Sequence, residues 1–148
     1  MKVIYLNHSG ILVELKDYYC IFDYYKGELP PLDKEKDVIV FCSHSHNDHY
    51  NPLIFDLLDK SGMCYQAVLA NDISDENRLS KIKHSFVKPD ECYQFVGRIQ
   101  VETLLSNDSG VAFIVSTDEV VVYLGGDKNH WYGGGVGDED NLELRTIY

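Results

Sequence analysis

The sequence predicts an α+β fold dominated by strands, and three observations carry that prediction. The first 27 residues divide into three short β-favouring runs separated by tight breaks. A continuous apolar run, VIVFC, bounded by polar residues, leads into a segment with helix start and stop signals. Three more β-favouring runs fill residues 98–124. At 148 residues the chain suits one domain with a sizeable core.

Taken in order, residues 3–6, 11–15 and 18–23 read as strands, and the breaks at 7–10 and 16–17 make them an antiparallel meander. Residues 27–36, with Pro30 and Pro31, read as a loop. Residues 37–43 read as a strand buried on both faces. Asn51 suits a helix N-cap, Pro52 the first helical position and Gly62 the stop. Residues 66–70 form another candidate strand, and the polar stretch 71–84 a short helix or loop. Runs 98–104, 111–116 and 119–124 complete the strands, with Thr117-Asp118 as a hairpin turn. The chain after Asp127 is rich in glycine and acid.

Composition restricts the function classes. Hydrophobic residues make up 45% and aromatics 12%, which is globular rather than disordered. The eleven tyrosines suit half-buried strand positions, ring packed and hydroxyl wet. A formal net charge of −11 repels a phosphate backbone, so nucleic acid is a disfavoured partner unless a metal reverses the local field. It equally disfavours an anionic membrane surface. The four cysteines, Cys20, Cys42, Cys64 and Cys92, form no CxxC pair. They read as reduced structural thiols of an intracellular, cytoplasmic protein. The N-terminus lacks a signal-peptide run, and no apolar stretch approaches membrane-spanning length.

The chemistry concentrates in residues 41–52, FCSHSHNDHYNP, where three of six histidines fall within six positions. Imidazole is the commonest metal ligand near neutral pH. In extended backbone His44 and His46 share a face and can grip one ion, whereas Asp48 and His49, at the helix start, turn toward a different point. The spacing offers two adjacent pairs on a strand-to-helix loop, where open α/β sheets place their sites.

The stretch SHSHNDH resembles the H-x-H-x-D-H signature of the metallo-β-lactamase superfamily. The opening IYLNHSGILVE…YYCIFDYYKG is similar to the first hairpin of its ascorbate-lactonase-like, metal-dependent hydrolase branch, which places His8 and Asp23 near the site. VVYLGGDKNHW resembles the strand-then-Gly-Asp motif whose aspartate bridges two metals, here Asp127. The resemblance implies an αββα sandwich with a centre of up to two divalent ions. His44 and His46 bind the first, Asp48 and His49 the second, and Asp127 lies between them. Zinc is the default, with manganese or iron allowed by the same ligands. The implied activity is hydrolysis of a small ester, lactone or phosphodiester by a metal-bound hydroxide, which Asp48 also orients.

Departures from the family pattern shape further expectations. The family's third ligand to the first metal is a histidine before a strand; the corresponding LLSNDSGVAFIV has none. Asp108 there either supplies an oxygen ligand or caps the turn before Val111. Family members continue well past the bridging aspartate with a last histidine, so the chain corresponds to the N-terminal half to two-thirds of the sandwich, a single domain incomplete at its C-terminus. His130 is either a substitute ligand or an ordinary imidazole. His8 reads as a substrate-facing or ligand-supporting group or as a turn residue, and Asp23 as a partner of a ligand histidine or as a turn aspartate. His84 reads as solvated. A half sandwich leaves an uncovered sheet, so a homo-oligomer or partner chain is expected. The alternative to a hydrolase is a catalytically impaired remnant serving as a metal-binding or assembly module. A nuclease of the same superfamily is opposed by the charge.

Overall fold

The computed structural model describes residues 1–106 and 109–127. The elements run β1 (Lys2–Asn7), β2 (Gly10–Glu14), β3 (Tyr18–Phe22), β4 (Asp37–Cys42), α1 (Leu53–Ser61), β5 (Tyr65–Ala70), α2 (Glu76–Leu79), β6 (His84–Val87), β7 (Cys92–Phe95), β8 (Ile99–Leu105), β9 (Val111–Ser116) and β10 (Val121–Leu124). One sheet has the order β1-β2-β3-β4-β5-β6 and the other β10-β9-β8-β7. In the first, β1, β2 and β3 are antiparallel, and β3 to β6 run parallel. The second is antiparallel throughout.

β4 lies inside the first sheet and is buried from Val38 to Cys42, as a strand covered on both faces must be. Its Phe41 stacks on Phe22 at 4.8 Å between centroids and meets Phe113 of β9 edge-on at 5.4 Å, joining the two sheets. Val38, Val40 and Cys42 point the other way, as do their partners Tyr65, Ala67 and Leu69 on β5. Phe55 of α1 stacks on Tyr65 at 5.8 Å, so α1 covers the face turned from the second sheet. It buries Ile54, Phe55 and Leu58. These layers are the α-β-β part of the expected sandwich. No helix covers the outer face of the second sheet among the described residues.

The helix stop holds, and the start shifts by one residue: Pro52, expected as the first helical position, is the N-cap of α1. The Asn51 side chain accepts the Leu53 N–H at 3.0 Å, Pro52 has φ −64°, and Gly62 ends α1 in the left-handed region at φ 67°. The polar stretch 71–84 holds the expected short helix, α2, capped by the Asp75 side chain, and leads into strand β6. Two further expectations need correction. His84 is half-buried within β6 rather than solvated. The last hairpin turns over four residues, Thr117 to Val120, closed by the Thr117 N–H to the Val120 carbonyl at 2.9 Å, not over a Thr117-Asp118 pair. All four cysteines are free; Cys20 and Cys42 are buried, Cys64 and Cys92 exposed. No helix among the described residues is long and apolar enough to cross a membrane.

The edge strands β1 and β10 lie on one flank. Glu119 in the β9–β10 turn accepts the Lys16 N–H at 2.7 Å and sits 4.0 Å from the Met1 ammonium. Val3, Tyr5, Val121 and Tyr123 are exposed along this flank.

Candidate metal centre

Parallel strands end on one side of a sheet, and β3 and β4 end side by side, with Phe22 opposite Phe41. The residue after β3 is Asp23, wholly buried and at φ 44°. A non-glycine residue held there is strained, and such strain persists where surrounding contacts impose it. The contacts are specific. Asp23 Oδ1 accepts the Ser43 N–H at 2.7 Å; Oδ2 accepts the Ser43 hydroxyl at 2.7 Å and lies 2.9 Å from His49 Nδ1. Ser43 Oγ in turn lies 3.0 Å from His44 Nδ1.

This network assigns the tautomers. The Ser43 hydroxyl spends its hydrogen on Asp23, so it accepts from Nδ1–H of His44. His49 donates its own Nδ1–H to the same carboxylate. Both rings therefore present an unprotonated Nε2 to the site, the arrangement that orients histidine ligands.

Beyond β4 the chain leaves extended geometry. The N–H groups of His49 and Tyr50 both bond the His46 carbonyl, at 2.9 and 2.8 Å. A turn, not the expected extended backbone, thus brings His46 Nδ1 to 3.1 Å from His44 Nε2. Asp127 Oδ2 lies 3.7 Å from His44 Nε2, and donor atoms of His44, His46 and Asp127 all fall within 4.8 Å of one another. Around the other oxygen a second cluster forms. Asp127 Oδ1 is 3.1 Å from His49 Nε2, which is 3.7 Å from Asp48 Oδ2. Two bays result, one carboxylate reaching both. Two imidazoles with a carboxylate, and one imidazole with two carboxylates, are donor sets that fit a divalent metal.

Electrostatics agree with the geometry. Burial lowers the His44 pKa, and the neighbouring His49 lowers it further, so its neutral, ligating form prevails. Burial opposes charge on His49 too, but the Asp23 hydrogen bond and the Asp23, Asp127 and Asp48 charges outweigh it and raise its pKa. The carboxylates that favour positive charge on this ring would equally favour a bound cation. For Asp48 burial raises the pKa, yet its own backbone N–H, His8 and His49 bring it below the usual carboxylate value.

His8 and Asp23 both lie against residues of these two bays. His8, at φ 50° in the β1–β2 turn, pairs with Asp48 Oδ2 at 3.0 Å and meets the Tyr25 ring edge-on at 5.6 Å. Ser9 beside it donates to the backbone carbonyls of Asp48 and Asp23. Asp108 and His130 lie outside the described residues. Sequence reading missed Ser43, whose role depends on Asp23 twenty positions away, and Ser9. It also missed the tight glycines. A Cβ on Gly110 would stand 2.0 Å from the Ser43 carbonyl, and one on Gly126 2.9 Å from Ser43 Oγ; both glycines have positive φ. Gly126 thereby lets Asp127 approach the histidines.

No family model matches the chain. Over 54 residues it is 46% identical to the metal-dependent hydrolase YtkL of Bacillus subtilis, a stretch covering 33% of this chain and 23% of that protein. Its structure is similar to Igni18, a metallo hydrolase of Ignicoccus hospitalis, with TM-score 0.62 and 14% identity over 84% of this chain. It is also similar to CmlA, a diiron beta-hydroxylase of Streptomyces venezuelae, with TM-score 0.62 and 14% identity over 86% of this chain. The chain spans 59% of Igni18 and 30% of CmlA. Sheet order and these likenesses show the fold: the chain has a metallo-β-lactamase-like fold.

Proposed function

We propose that the protein is a metal-dependent hydrolase of a small ester, lactone or phosphodiester, with His44, His46 and Asp127 holding one divalent ion and Asp48, His49 and Asp127 a second. The observation that carries this reading is the pair of Asp127 oxygens, one 3.7 Å from His44 Nε2 and the other 3.1 Å from His49 Nε2. Zinc suits the mixed imidazole and carboxylate donors, and manganese or iron would be accepted by the same set. The ions would supply Lewis acidity and water activation near neutral pH. The chain's own residues do the rest. Asp48, steadied by His8 and by the Ser9 hydroxyl on its carbonyl, accepts a proton from the attacking water and aligns it. Asp23 and Ser43 fix the tautomers of His44 and His49 from beneath. The substrate enters from the exposed side, where Asp48 and Asp127 are part-open to solvent.

Elemental analysis of purified protein, beside turnover on a panel of esters, lactones and phosphodiesters, tests the proposal. About two ions per chain and measurable turnover are expected, with both lost in His46→Ala and turnover lost in Asp48→Ala. Turnover that survives in Asp48→Ala sinks the mechanism. One ion or none, with no turnover on any class, favours the second reading, a catalytically impaired metal-binding or assembly module. The exposed apolar residues on the β1/β10 flank support a partner surface, either a second copy or another chain.

A further inference from the structure

We propose that Asp72 is a positioning residue of the first bay: its carboxylate holds the turn that presents His44 and His46, and so sets the affinity of that bay for a divalent ion. The inference rests on reading His44, His46 and Asp127 as a cation site. Asp72 stands two residues past the end of β5, and β5 ends beside β4 because the two run parallel with Cys42 opposite Leu69. Its Oδ2 accepts the backbone N–H of Ser45 at 3.0 Å, and Ser45 is the residue between the two histidines. The same oxygen accepts the Ser109 hydroxyl at 2.8 Å.

Ser109 belongs to the lead-in to β9, which is itself docked on the site. The Val111 N–H bonds the Ser43 carbonyl at 2.9 Å, and Gly110 approaches too closely for any Cβ. Three segments distant in sequence, the β4–α1 turn, the end of β5 and the lead-in to β9, therefore meet at one carboxylate. Ser45 lies outside both sheets, so its N–H has no ladder partner, and Asp72 supplies the fixed acceptor that solvent would otherwise replace. The second oxygen, Oδ1, is shielded from solvent and has no hydrogen-bond partner among the described residues. A shielded anionic oxygen left unpaired is costly. Its cost falls when positive charge is held nearby, and the bay that Asp72 braces is where such charge would sit.

The test uses the full chain stripped of metal and titrated with Co2+, whose absorption bands report ligand geometry, beside the melting temperature of the metal-free protein. Asp72→Ala is expected to weaken Co2+ binding by roughly 10–100-fold, the range for residues that orient metal ligands, with little change in the metal-free melting temperature. Asp72→Asn keeps a carbonyl oxygen for the Ser45 N–H and is expected to restore most of the affinity. Ser109→Ala, which frees one of the two holds, should weaken binding in the same direction by less. Wild-type affinity in Asp72→Ala overturns the proposal. So does a fall in melting temperature that accounts for the lost binding and that Asn does not reverse, because Asp72 would then merely support the fold. His46→Ala separates the two levels: if it binds Co2+ as the wild type does, the metal reading itself fails, and if it does not while Asp72→Ala does, only the role of Asp72 fails.

Discussion

Asp23 does two separable jobs with one carboxylate. It fills the acceptor needs of the buried Ser43 N–H and hydroxyl, and it dictates which nitrogen of His49 carries the proton. Asp23→Ala strands the Ser43 donors without an acceptor, a loss of about 1–3 kcal/mol. It should also lower metal affinity by about 10–100-fold. Asp23→Asn discriminates the jobs. Asparagine tolerates positive φ, and its carbonyl can still accept the Ser43 N–H. Its amide nitrogen, in place of Oδ2, would donate to His49 Nδ1 and move the ring proton to Nε2, closing the ligand position. The expected result is a melting temperature nearer wild type than that of Asp23→Ala, together with metal binding at least as poor. Full metal binding in Asp23→Asn would show that the tautomer account is wrong. At this scale the sequence was partly legible. His44, His46, Asp48 and His49 announce themselves because four donors in six positions need no tertiary knowledge. Asp23, His8 and Asp127 were reached through the resemblance. Ser43, Ser9 and Asp72 carry no local signal, because a serine or aspartate in a polar loop looks the same whether or not a distant segment folds onto it.

Elements were legible in proportion to how their burial is written in the chain. β4 is buried on both faces, so its apolar run is continuous and could not be missed. α1 is bracketed by Asn51-Pro52 and Gly62, whose backbone preferences are local. β6 and β7 are short strands with exposed positions, HSFV and CYQF, and their pairing comes from β5 and β8 rather than from their own composition. The same difference decides the cysteines. Cys20 sits within β3, and burial pushes its thiol up to about 12; Cys42, at the end of β4, is raised by burial and by the nearby Asp23. Both should resist alkylation, since the thiolate is the reactive form. Cys64 precedes β5 and Cys92 opens β7, and both are exposed. A thiol-reactive dye at pH 8 is therefore expected to label Cys64 and Cys92 in the folded protein and all four after denaturation, read by mass spectrometry. Fast labelling of Cys20 or Cys42 under native conditions would contradict the packing of the β3 and β4 ends, and with it the rigid floor under Asp23 and Ser43.

At the scale of the whole molecule, the flank that bears on association is the one where, among the described residues, β1 and β10 border the two sheets. β1 borders one sheet and β10 the other, and Glu119 joins the β9–β10 turn to the β2–β3 turn at Lys16 and lies 4.0 Å from the Met1 ammonium. Each edge strand presents alternate residues outward: Val3 and Tyr5 on β1, 59% and 69% exposed, and Val121 and Tyr123 on β10, 63% and 52% exposed. Soluble proteins usually blunt such edges with charge, proline or a covering segment, because unpaired backbone next to apolar side chains invites pairing. Lys2 lies on β1, but β10, Val121 to Leu124, carries no charged residue at all. The net charge of −11 opposes close approach of two copies, so any association here would have to come from the apolar surface, and raising the salt concentration should strengthen it by screening that repulsion. The expected outcome in light scattering is a dimer or larger species that persists in high salt. Tyr5→Lys combined with Val121→Lys should return the protein to a monomer without altering metal content, because neither residue is among the groups that line the two bays. A wild-type protein that stays monomeric at tens of micromolar and in high salt would remove self-association as the reason this flank is apolar.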